Sequence, residues 1–346
     1  MPSVAFCLSA IAVAAGFDEN EPRNAFRKFE RGTAKDVVKV HSVQIRYTSL
    51  TCRIPHAGGR KELLNMKRHG LTLHRLELPS KFDAREKFKE CSDIIGHVRD
   101  QSNCGGCVAM AVIGVFNDRL CIKTSGKFNK LLSPGYAVAC CTPDKGCEPP
   151  TGCSGATAFE VWGFAQRYGI PTGGDYKPAG LMDKADGCWP YDLPQCDHTY
   201  KGGKYPPCPK GLHQTPFCSS SCRNGKYPTP LHQDLHFVAP PGEIRVGPEV
   251  DKIKQEIFTN GPVTATFNAY KDFKEYTSGV YKHKYGELLG NHCVKLIGWG
   301  KTATEEYWLA VNSWNEGWGE SGLIRIAIGQ CKIESEVTYG VPKLPI

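Results

Sequence analysis

The sequence predicts an α+β protein built from two packed lobes. Residues 107–124 have the apolar pattern of one buried helix, and strand patterns dominate from residue 263 onwards. Between them, residues 173–248 are rich in Gly, Pro and Cys and carry little periodicity, which indicates loops pinned by disulfides. A helical half followed by a strand-rich half indicates an α+β chain. A cleft between two lobes is a usual place for an active site.

The predicted elements follow in chain order. The first three turns of the helix over 107–124 are apolar on all sides, which places it inside a core, and Ser125-Gly126 ends it. A second helix is predicted over 156–168, ended by Gly169, and a third over 251–260. The predicted strands of the β half cover 263–267, 293–299, 307–312 and 323–328.

The N-terminus and the cysteine content indicate the secretory route. The chain of 346 residues holds 17 cysteines, which favours an oxidising compartment. Residues 4–15 are apolar, end in small residues and precede Asp18-Glu19, so residues 1–16 are predicted to be a signal peptide. This stretch is too short to span a bilayer, and no other stretch is long enough. We therefore expect a lysosomal or extracellular protein with no membrane partner.

The basic charge is concentrated in the N-terminal segment. Of the formal net charge of +8, residues 1–77 contribute 13 Lys/Arg against 7 Asp/Glu, and the remainder contributes 30 against 28. A basic patch can contact nucleic acid or an anionic membrane, but aromatic residues do not alternate with the basic ones here. We therefore favour a divergent pro-segment over 17–77, with one short helix near 24–31, and expect no nucleic-acid partner. The character of the chain changes at Leu78-Pro79-Ser80, which marks the domain boundary.

The turn Gln101-Ser102-Asn103-Cys104-Gly105-Gly106-Cys107 opens the long predicted helix. Two cysteines on a glycine turn suggest one sulfur that is tied down and one that is left as a nucleophile. The partial positive charge at a helix N-terminus favours a thiolate over a thiol. A nucleophilic cysteine also needs a base and an orienting group from elsewhere in the chain.

The β half of the sequence contains candidates for both groups. His292 lies at the start of a predicted strand, just after a turn that contains Gly290, and Asn312 ends the next strand. Two neighbouring strands can place an Asn amide against a His imidazole and fix its tautomer. Trp314 follows closely and would shield that hydrogen bond from water.

Together these motifs resemble the papain family of cysteine proteases. The resemblance rests on the cysteine turn, on His292 before an apolar Gly-Trp-Gly strand, and on Asn-Ser-Trp-x-x-x-Trp-Gly from Asn312. It covers residues 78–346, the predicted peptidase domain, and residues 188–208 resemble the occluding loop of its cathepsin B-like branch. The resemblance implies a papain-like two-lobe fold. A helical left lobe with a long central helix would face an antiparallel β-barrel right lobe across the active-site cleft.

The resemblance also implies a role for each motif residue. Cys107 is the nucleophile, His292 is its base and then the acid for the leaving amine, and Asn312 orients His292. The Gln101 side-chain amide and the Cys107 backbone N–H form the oxyanion hole. The implied partners of a monomer are peptide or protein substrates, protein inhibitors of cysteine proteases and the chain's own pro-segment. No cofactor or metal is implied.

By the same resemblance, twelve cysteines form six bridges. These are Cys91–Cys121, Cys104–Cys153, Cys140–Cys218, Cys141–Cys147, Cys188–Cys222 and Cys196–Cys208. The cysteines left over are Cys7, Cys52, Cys107, Cys293 and Cys331. A zinc cluster of Cys140, Cys141, Cys147 and Cys153 is an alternative, although its spacing is poor for a zinc ribbon.

The chain departs from the family pattern beside the nucleophile and along the cleft. Val108 replaces a Trp and Met110 a Phe, which leaves room or a repacked core next to Cys107. Gly155-Ala156 stands where the family has two glycines, and the Ala156 methyl could obstruct a substrate strand that a second glycine would admit. Asn291 replaces a glycine beside His292, again at the substrate channel.

Two further candidate substrate residues come from the resemblance. Cathepsin B-like occluding loops carry two adjacent histidines that hold the substrate's C-terminal carboxylate, whereas this chain keeps only His198, followed by Thr199. This difference predicts weakened carboxydipeptidase activity. Glu336 matches the acidic residue at the base of the family's S2 pocket, which accepts Arg as well as apolar side chains. A solvated surface glutamate is the alternative.

Two classes of function follow. The first is a cathepsin B-like cysteine endopeptidase. The second is a binding or decoy protein on the same fold, with the three catalytic-type residues retained and the cleft altered by Val108, Ala156 and Asn291.

Overall fold

A computed structural model describes residues 77–178, 181, 187–199 and 203–344, together with the backbone of three short strands nearer the N-terminus. The chain divides into two units, Met1–Glu77 and Leu78–Ile346. The first unit contains β1 (Val38–Val40), β2 (Val43–Ile45) and β3 (His74–Arg75), which pair antiparallel in that order. The predicted signal peptide and the predicted helix near 24–31 lie outside the described residues.

Six α-helices lie in the described part of the second unit. They are α1 (Ala84–Lys87), α2 (Ser92–Gly96), α3 (Cys107–Lys123), α4 (Pro134–Cys140), α5 (Ala158–Arg167) and α6 (Val250–Asn260). The three predicted helices are confirmed as α3, α5 and α6. Helix α4 was not predicted from the sequence, although Ser133 caps it by accepting a hydrogen bond from the Tyr136 N–H at 3.0 Å.

Helix α3 runs through the interior of the protein. Its residues from Cys107 to Cys121 are all buried, including the charged Asp118 and Arg119. Helices α4 and α5 pack against it and share its apolar cluster. The chain leaves the helix through Ser125 and Gly126, both in the left-handed conformation, as the predicted stop requires.

The β half forms one eight-stranded sheet. Its strands are β4 (Phe82–Asp83), β6 (Ile244–Arg245), β7 (Val263–Tyr270), β8 (Val280–Tyr281), β9 (Leu288–Lys301), β10 (Glu306–Val311), β11 (Leu323–Ala327) and β12 (Glu336–Tyr339). Along the sheet the order is β6-β12-β7-β9-β10-β11-β8, and β4 pairs with one end of β9. The four predicted strands are confirmed within β7, β9, β10 and β11, apart from terminal residues. The long central strand β9 carries His292.

The predicted closure of the sheet into a barrel is wrong. The two ends of the sheet are β6 and β8, and these strands do not pair with each other in the described part of the chain. Each is only two residues long, and β8 pairs with β11 in parallel at two positions. Such short end strands offer too few backbone groups to close a ring, so the sheet stays open.

The segment over 173–248 is dominated by loops, as predicted. Three bridges pin it, Cys188–Cys222 and Cys196–Cys208 within the segment and Cys140–Cys218 to α4. Its regular structure in the described residues is one 3₁₀ turn at Leu231–Gln233 and the strands β5 (Phe237–Val238) and β6. Strand β5 pairs with β13 (Pro342–Lys343) in a separate two-stranded sheet. None of the described helices is both long and apolar enough to cross a membrane.

Candidate active site

Cys107 is the first residue of α3, and the turn before it is tightly anchored. The Cys104–Cys153 disulfide holds the turn, and the Gly105 N–H donates to the Cys153 carbonyl at 2.8 Å. A Cβ atom on Gly105 would lie 2.6 Å from that carbonyl oxygen, so only glycine fits this approach. Cys107 itself has no disulfide partner and is buried. The turn therefore presents one fixed sulfur and one free thiol at a helix N-terminus.

Gln101 joins the cysteine turn to the β half. Its backbone N–H donates to the Ser313 carbonyl at 2.9 Å, and its side-chain oxygen accepts from the Ser313 hydroxyl at 2.6 Å. Its side-chain nitrogen donates to the Cys104 carbonyl at 2.8 Å. An amide NH₂ has two N–H groups, so one remains for another acceptor beside the turn.

The structure brings His292 and Asn312 into direct contact. The His292 Nε2 atom lies 2.7 Å from the Asn312 side-chain oxygen, and both side chains are buried. Because Asn312 follows β10, which pairs with β9, neighbouring strands place the two side chains together. An amide oxygen accepts only, so this contact places the proton on Nε2 and leaves Nδ1 as the basic nitrogen.

Aromatic rings enclose this hydrogen bond. The His292 ring lies 5.0 Å from Trp314, 5.6 Å from Phe273 and 5.7 Å from Phe267, measured between ring centroids. Trp314 also stacks on His198 at 5.5 Å with an interplanar angle of 9°. Trp314 therefore lies between the imidazole of the site and the imidazole of the insertion.

Burial sets the protonation of Cys107 and His292. Burial raises the pKa of the Cys107 thiol, and hydrogen bonds from the backbone N–H groups of Cys293, Val108 and Cys107 act in the opposite direction. Burial lowers the pKa of His292 to about 4, against a smaller opposite effect of Asn312. Both shifts favour the neutral thiol and the neutral imidazole, so the Cys107 thiolate expected from the sequence stays a prediction.

Asp100 is the polar centre of the region and was missed in the sequence. One of its oxygens accepts from the Ser102 N–H at 2.7 Å and lies 2.8 Å from His198 Nε2. The other accepts from the Asn315 side chain at 2.8 Å and from the Cys196 N–H at 3.1 Å. Asp100 thereby ties the insertion to the cysteine turn. The sequence feature that could have identified Asp100 is its position directly before Gln101.

The other predicted substrate residues occupy several places around these groups. Gly155 and Ala156 are half-buried and follow Cys153 of the anchoring disulfide. Asn291 is exposed in β9, one residue before His292. Glu336 is half-buried at the start of β12, opposite Thr266, which in turn lies opposite Cys293. Glu336, Thr266 and Cys293 thus lie side by side on three neighbouring strands, and Cys293 directly follows His292.

Similarity to known proteins identifies the family of the chain. Residues 78–341 match the family model described as papain family cysteine protease. The chain belongs to the papain family. It is 41% identical to the Cathepsin B-like cysteine proteinase 5 of Caenorhabditis elegans over 270 residues, which cover 77% of this chain and 75% of the relative. It is 39% identical to the Cathepsin B-like cysteine proteinase of Schistosoma japonicum over 296 residues, covering 83% and 81%.

A solved relative agrees with the fold of this papain-family chain. The procathepsin B S9 of Trypanosoma congolense superposes with a TM-score of 0.62 and 28% identity, covering 84% of this chain and 82% of that structure. The chain is therefore a cathepsin B-like cysteine peptidase.

The disulfides of this peptidase limit where a metal could bind. The structure contains the six bridges that the resemblance implied, and Cys140, Cys141, Cys147 and Cys153 all take part in them. The alternative of a zinc cluster at these four residues is wrong, because disulfide sulfurs are not thiolate ligands. Cys196, His198 and Cys208 also lie close together, but the two cysteines are bridged to each other.

Proposed function

We propose that the chain is a cysteine endopeptidase that cleaves peptide bonds with Cys107, His292 and Asn312. The 2.7 Å contact between His292 and Asn312 carries the proposal, together with the packing of strand β9, which holds His292, against helix α3, which begins at the free Cys107. A base that is oriented by a third group, close to an unpaired thiol at a helix N-terminus, is the arrangement that nucleophilic catalysis needs.

In the proposed reaction, Nδ1 of His292 takes the Cys107 proton as the sulfur attacks the substrate carbonyl. The Cys107 N–H and the remaining Gln101 N–H stabilise the oxyanion. His292 then returns the proton to the leaving amine, and water hydrolyses the thioester. The low pKa of His292 keeps the imidazole neutral, and thus able to accept a proton, in mildly acidic solution.

We also propose that carboxydipeptidase activity is weak. His198 of the insertion is paired with Asp100 at 2.8 Å and stacked on Trp314, so its imidazole is engaged in holding the insertion. Thr199 donates from its N–H and its hydroxyl to the Asp197 carboxylate. A neutral hydroxyl in that position offers no positive charge to a substrate carboxylate.

Glu336 is proposed as the acidic group of the S2 pocket. In the strand register, Glu336 lies opposite Thr266 on the neighbouring strand, and Thr266 lies opposite Cys293, the residue after the proposed base. A half-buried carboxylate in this part of the sheet can pair with an Arg side chain in the P2 position. Gly155, Ala156 and Asn291 would line the rest of the channel.

The order of segments is proposed as a signal peptide over 1–16, a pro-segment over 17–77 and the peptidase over 78–346. Such a precursor would pass through the secretory route to a lysosome or the exterior, and its pro-segment would inhibit Cys107. The solved relative is itself a precursor form, which supports this arrangement.

The test is turnover of a fluorogenic dipeptide with Arg at P2, after removal of residues 1–77. We expect turnover that Cys107→Ala abolishes and Cys331→Ala leaves intact, since Cys331 is a free thiol that takes no part in the proposed mechanism. Labelling with iodoacetamide at mildly acidic pH is measured in parallel. Labelling of Cys107 without turnover would contradict the proposal and favour a binding or decoy protein with a blocked cleft.

A further inference from the structure

We propose that the protein binds one chloride ion in a buried cavity beside Asn312, where the ion accepts a hydrogen bond from the Asn312 side-chain amide and pairs with the Arg99 guanidinium. The ligand class is a monoatomic anion. Binding of the ion does not depend on the proposed function. Only its effect on turnover rests on the proposed role of Asn312 in orienting His292.

The cavity lies between the long helix and the sheet. Its volume is about 20 Å³, with Gly114 of α3 on one side and Lys295 of β9 and Asn312 among the residues on the other. A ligand of one heavy atom fits such a volume, since one water molecule needs about 10–15 Å³. Among the described residues, neither Cys107 nor His292 lines the cavity. A ligand in it would therefore act on the proposed base through Asn312.

The side-chain nitrogen of Asn312 is buried without an acceptor in the described part of the protein. The residue is only 2% exposed, and its side-chain oxygen is already engaged by His292 Nε2 at 2.7 Å. A buried N–H group that makes no hydrogen bond is costly. Because Asn312 lines the cavity, a ligand there that accepts hydrogen bonds would remove this cost.

Arg99 brings a positive charge to the same cavity. The residue is buried, and one terminal nitrogen donates to two neutral oxygens, those of the Asn117 side chain at 3.3 Å and the Leu132 carbonyl at 3.2 Å. Within the described part of the chain, no ion pair joins Arg99 to a carboxylate. Asp175, whose side chain is 36% exposed, pairs with His97 at 3.0 Å instead. Since buried charges are normally paired, Arg99 favours an anion as the ligand.

Lys295 adds a second cation to the wall of the cavity, but its charge is already paired. Its ammonium lies 2.9 Å from the Asp118 carboxylate, and both side chains are buried. The charge of Arg99 is thus left for another anion. A water molecule would accept from the Asn312 N–H without balancing that charge, whereas a chloride ion does both. His97, whose side chain is 25% exposed, lines the outer side of the cavity and gives the ion a path from solvent.

The bound ion would hold the Asn312 amide in one orientation. Rotation of the amide by half a turn would present its NH₂ group to His292, and Nε2 would then have to accept a proton instead of donating one. An anion attracts the amide N–H and repels the amide oxygen. It therefore keeps the nitrogen toward the cavity and the oxygen toward His292, which leaves the proton on Nε2 and Nδ1 as the basic nitrogen.

The test grows crystals of the mature wild-type enzyme in sodium bromide instead of chloride and records anomalous scattering at the bromine absorption edge. We expect an anomalous peak in the cavity, within contact of Asn312 Nδ2 and Arg99. Gly114→Ala should remove the peak, because a Cβ atom there would enter the cavity in ordinary contact with Lys295 Cδ at 3.7 Å. Gly163→Ala changes a buried helix glycine of α5 that does not line the cavity, so this matched control should keep the peak.

Turnover of the P2-Arg dipeptide is then compared in sodium chloride and in sodium gluconate at equal ionic strength. We expect kcat/KM to be about tenfold lower without chloride, the effect of one hydrogen bond to a charged group, and to recover as chloride is added back. Gly114→Ala should be slow in both salts, and Gly163→Ala should respond as the wild type does.

An ordered water without an anomalous signal in the wild-type cavity would overturn the proposal, whether or not Gly114→Ala folds. A bromide peak together with turnover that is independent of chloride would mean binding at crystal concentration only, and would overturn it as well. Since the peak needs no turnover, bromide bound in a protein that cleaves no peptide would contradict the proposed function and leave the anion site standing.

Discussion

The His292 imidazole meets the side-chain oxygen of Asn312 at 2.7 Å inside a ring of aromatic side chains. The contact joins the residue that starts the buried part of β9 to the residue that follows β10. It fixes both the tautomer and the orientation of the proposed base, so replacement of Asn312 should affect catalysis more than folding.

Asn312→Ala should lower kcat/KM by roughly 10- to 100-fold, because the lost acceptor leaves a buried N–H without a partner at a cost of about 1–3 kcal/mol. Steady-state kinetics on the P2-Arg dipeptide measures this. The exposed Asn129→Ala is the matched control and should retain full activity. A folded Asn312→Ala variant with unchanged kcat/KM would show that Asn312 does not orient His292.

The contribution of His292 to the stability of the protein should fall as the pH drops from about 6.5 to about 4. The pKa of His292 is about 4 in the folded chain, whereas an unfolded chain has its ordinary value of 6.5. Within that window the unfolded state binds more protons, so stability present at higher pH is lost as the pH falls. The contribution amounts to about 3 kcal/mol at most.

Thermal unfolding followed across this pH window in the wild type and in His292→Gln measures the effect. The variant lacks the titrating ring, so its stability should change less with pH. If the stability of the two proteins changed equally with pH, His292 would not be held neutral by burial. The buried Asp118 carboxyl, whose pKa is raised to about 6, titrates within this window with the opposite sign. It does so in both proteins, so the difference between their pH dependences reports His292.

Glu336→Ala should reduce the preference for Arg over Phe at P2 by about tenfold, because the P2 guanidinium loses a charged partner worth about 1.5 kcal/mol. The ratio of kcat/KM for matched Arg and Phe dipeptides measures the preference. Glu287→Ala, at an exposed carboxylate, should leave the ratio unchanged. An unaltered ratio in Glu336→Ala would assign Glu336 to the solvated surface.

Thr199→His should increase the release of dipeptides from a peptide with a free C-terminus. The change restores a second histidine beside His198, which is itself held by Asp100. Mass spectrometry of the digest separates stepwise dipeptide loss from internal cleavage. Efficient dipeptide loss by the wild type would contradict the proposed weak carboxydipeptidase activity. On a peptide whose C-terminus is amidated, Thr199→His should not increase the release of dipeptides.

Lys295→Met should destabilise the protein by about 3–5 kcal/mol. The Lys295 ammonium pairs with the Asp118 carboxylate of α3 at 2.9 Å, and both side chains are buried. Removing one charge leaves the other uncompensated in the interior, whereas an apolar pair can be tolerated. Denaturant unfolding should therefore find Lys295→Met with Asp118→Leu more stable than Lys295→Met alone. Additive losses in the double variant would contradict this coupling.

The local signals of the sequence identified most of the regular elements and the chemistry of the site. The apolar run after Cys107 predicted the buried helix α3, because burial on all sides leaves no polar face in the pattern. The Ser133-Pro134 start of α4 was overlooked, although it is a recognisable cap. Resemblance to the family supplied the disulfide pairs, since sequence spacing alone leaves many pairings open.

By itself, the sequence determined the α+β class, the buried helix behind the cysteine turn and the residue types of a thiol, a base and an orienting amide. Which distant groups meet depended on the tertiary structure. It brought Asp100 to His198 and Asn315, joined Gln101 to Ser313, and left the sheet open. Local periodicity reports which face of an element is buried, whereas these contacts join elements whose relative positions depend on packing of the whole core.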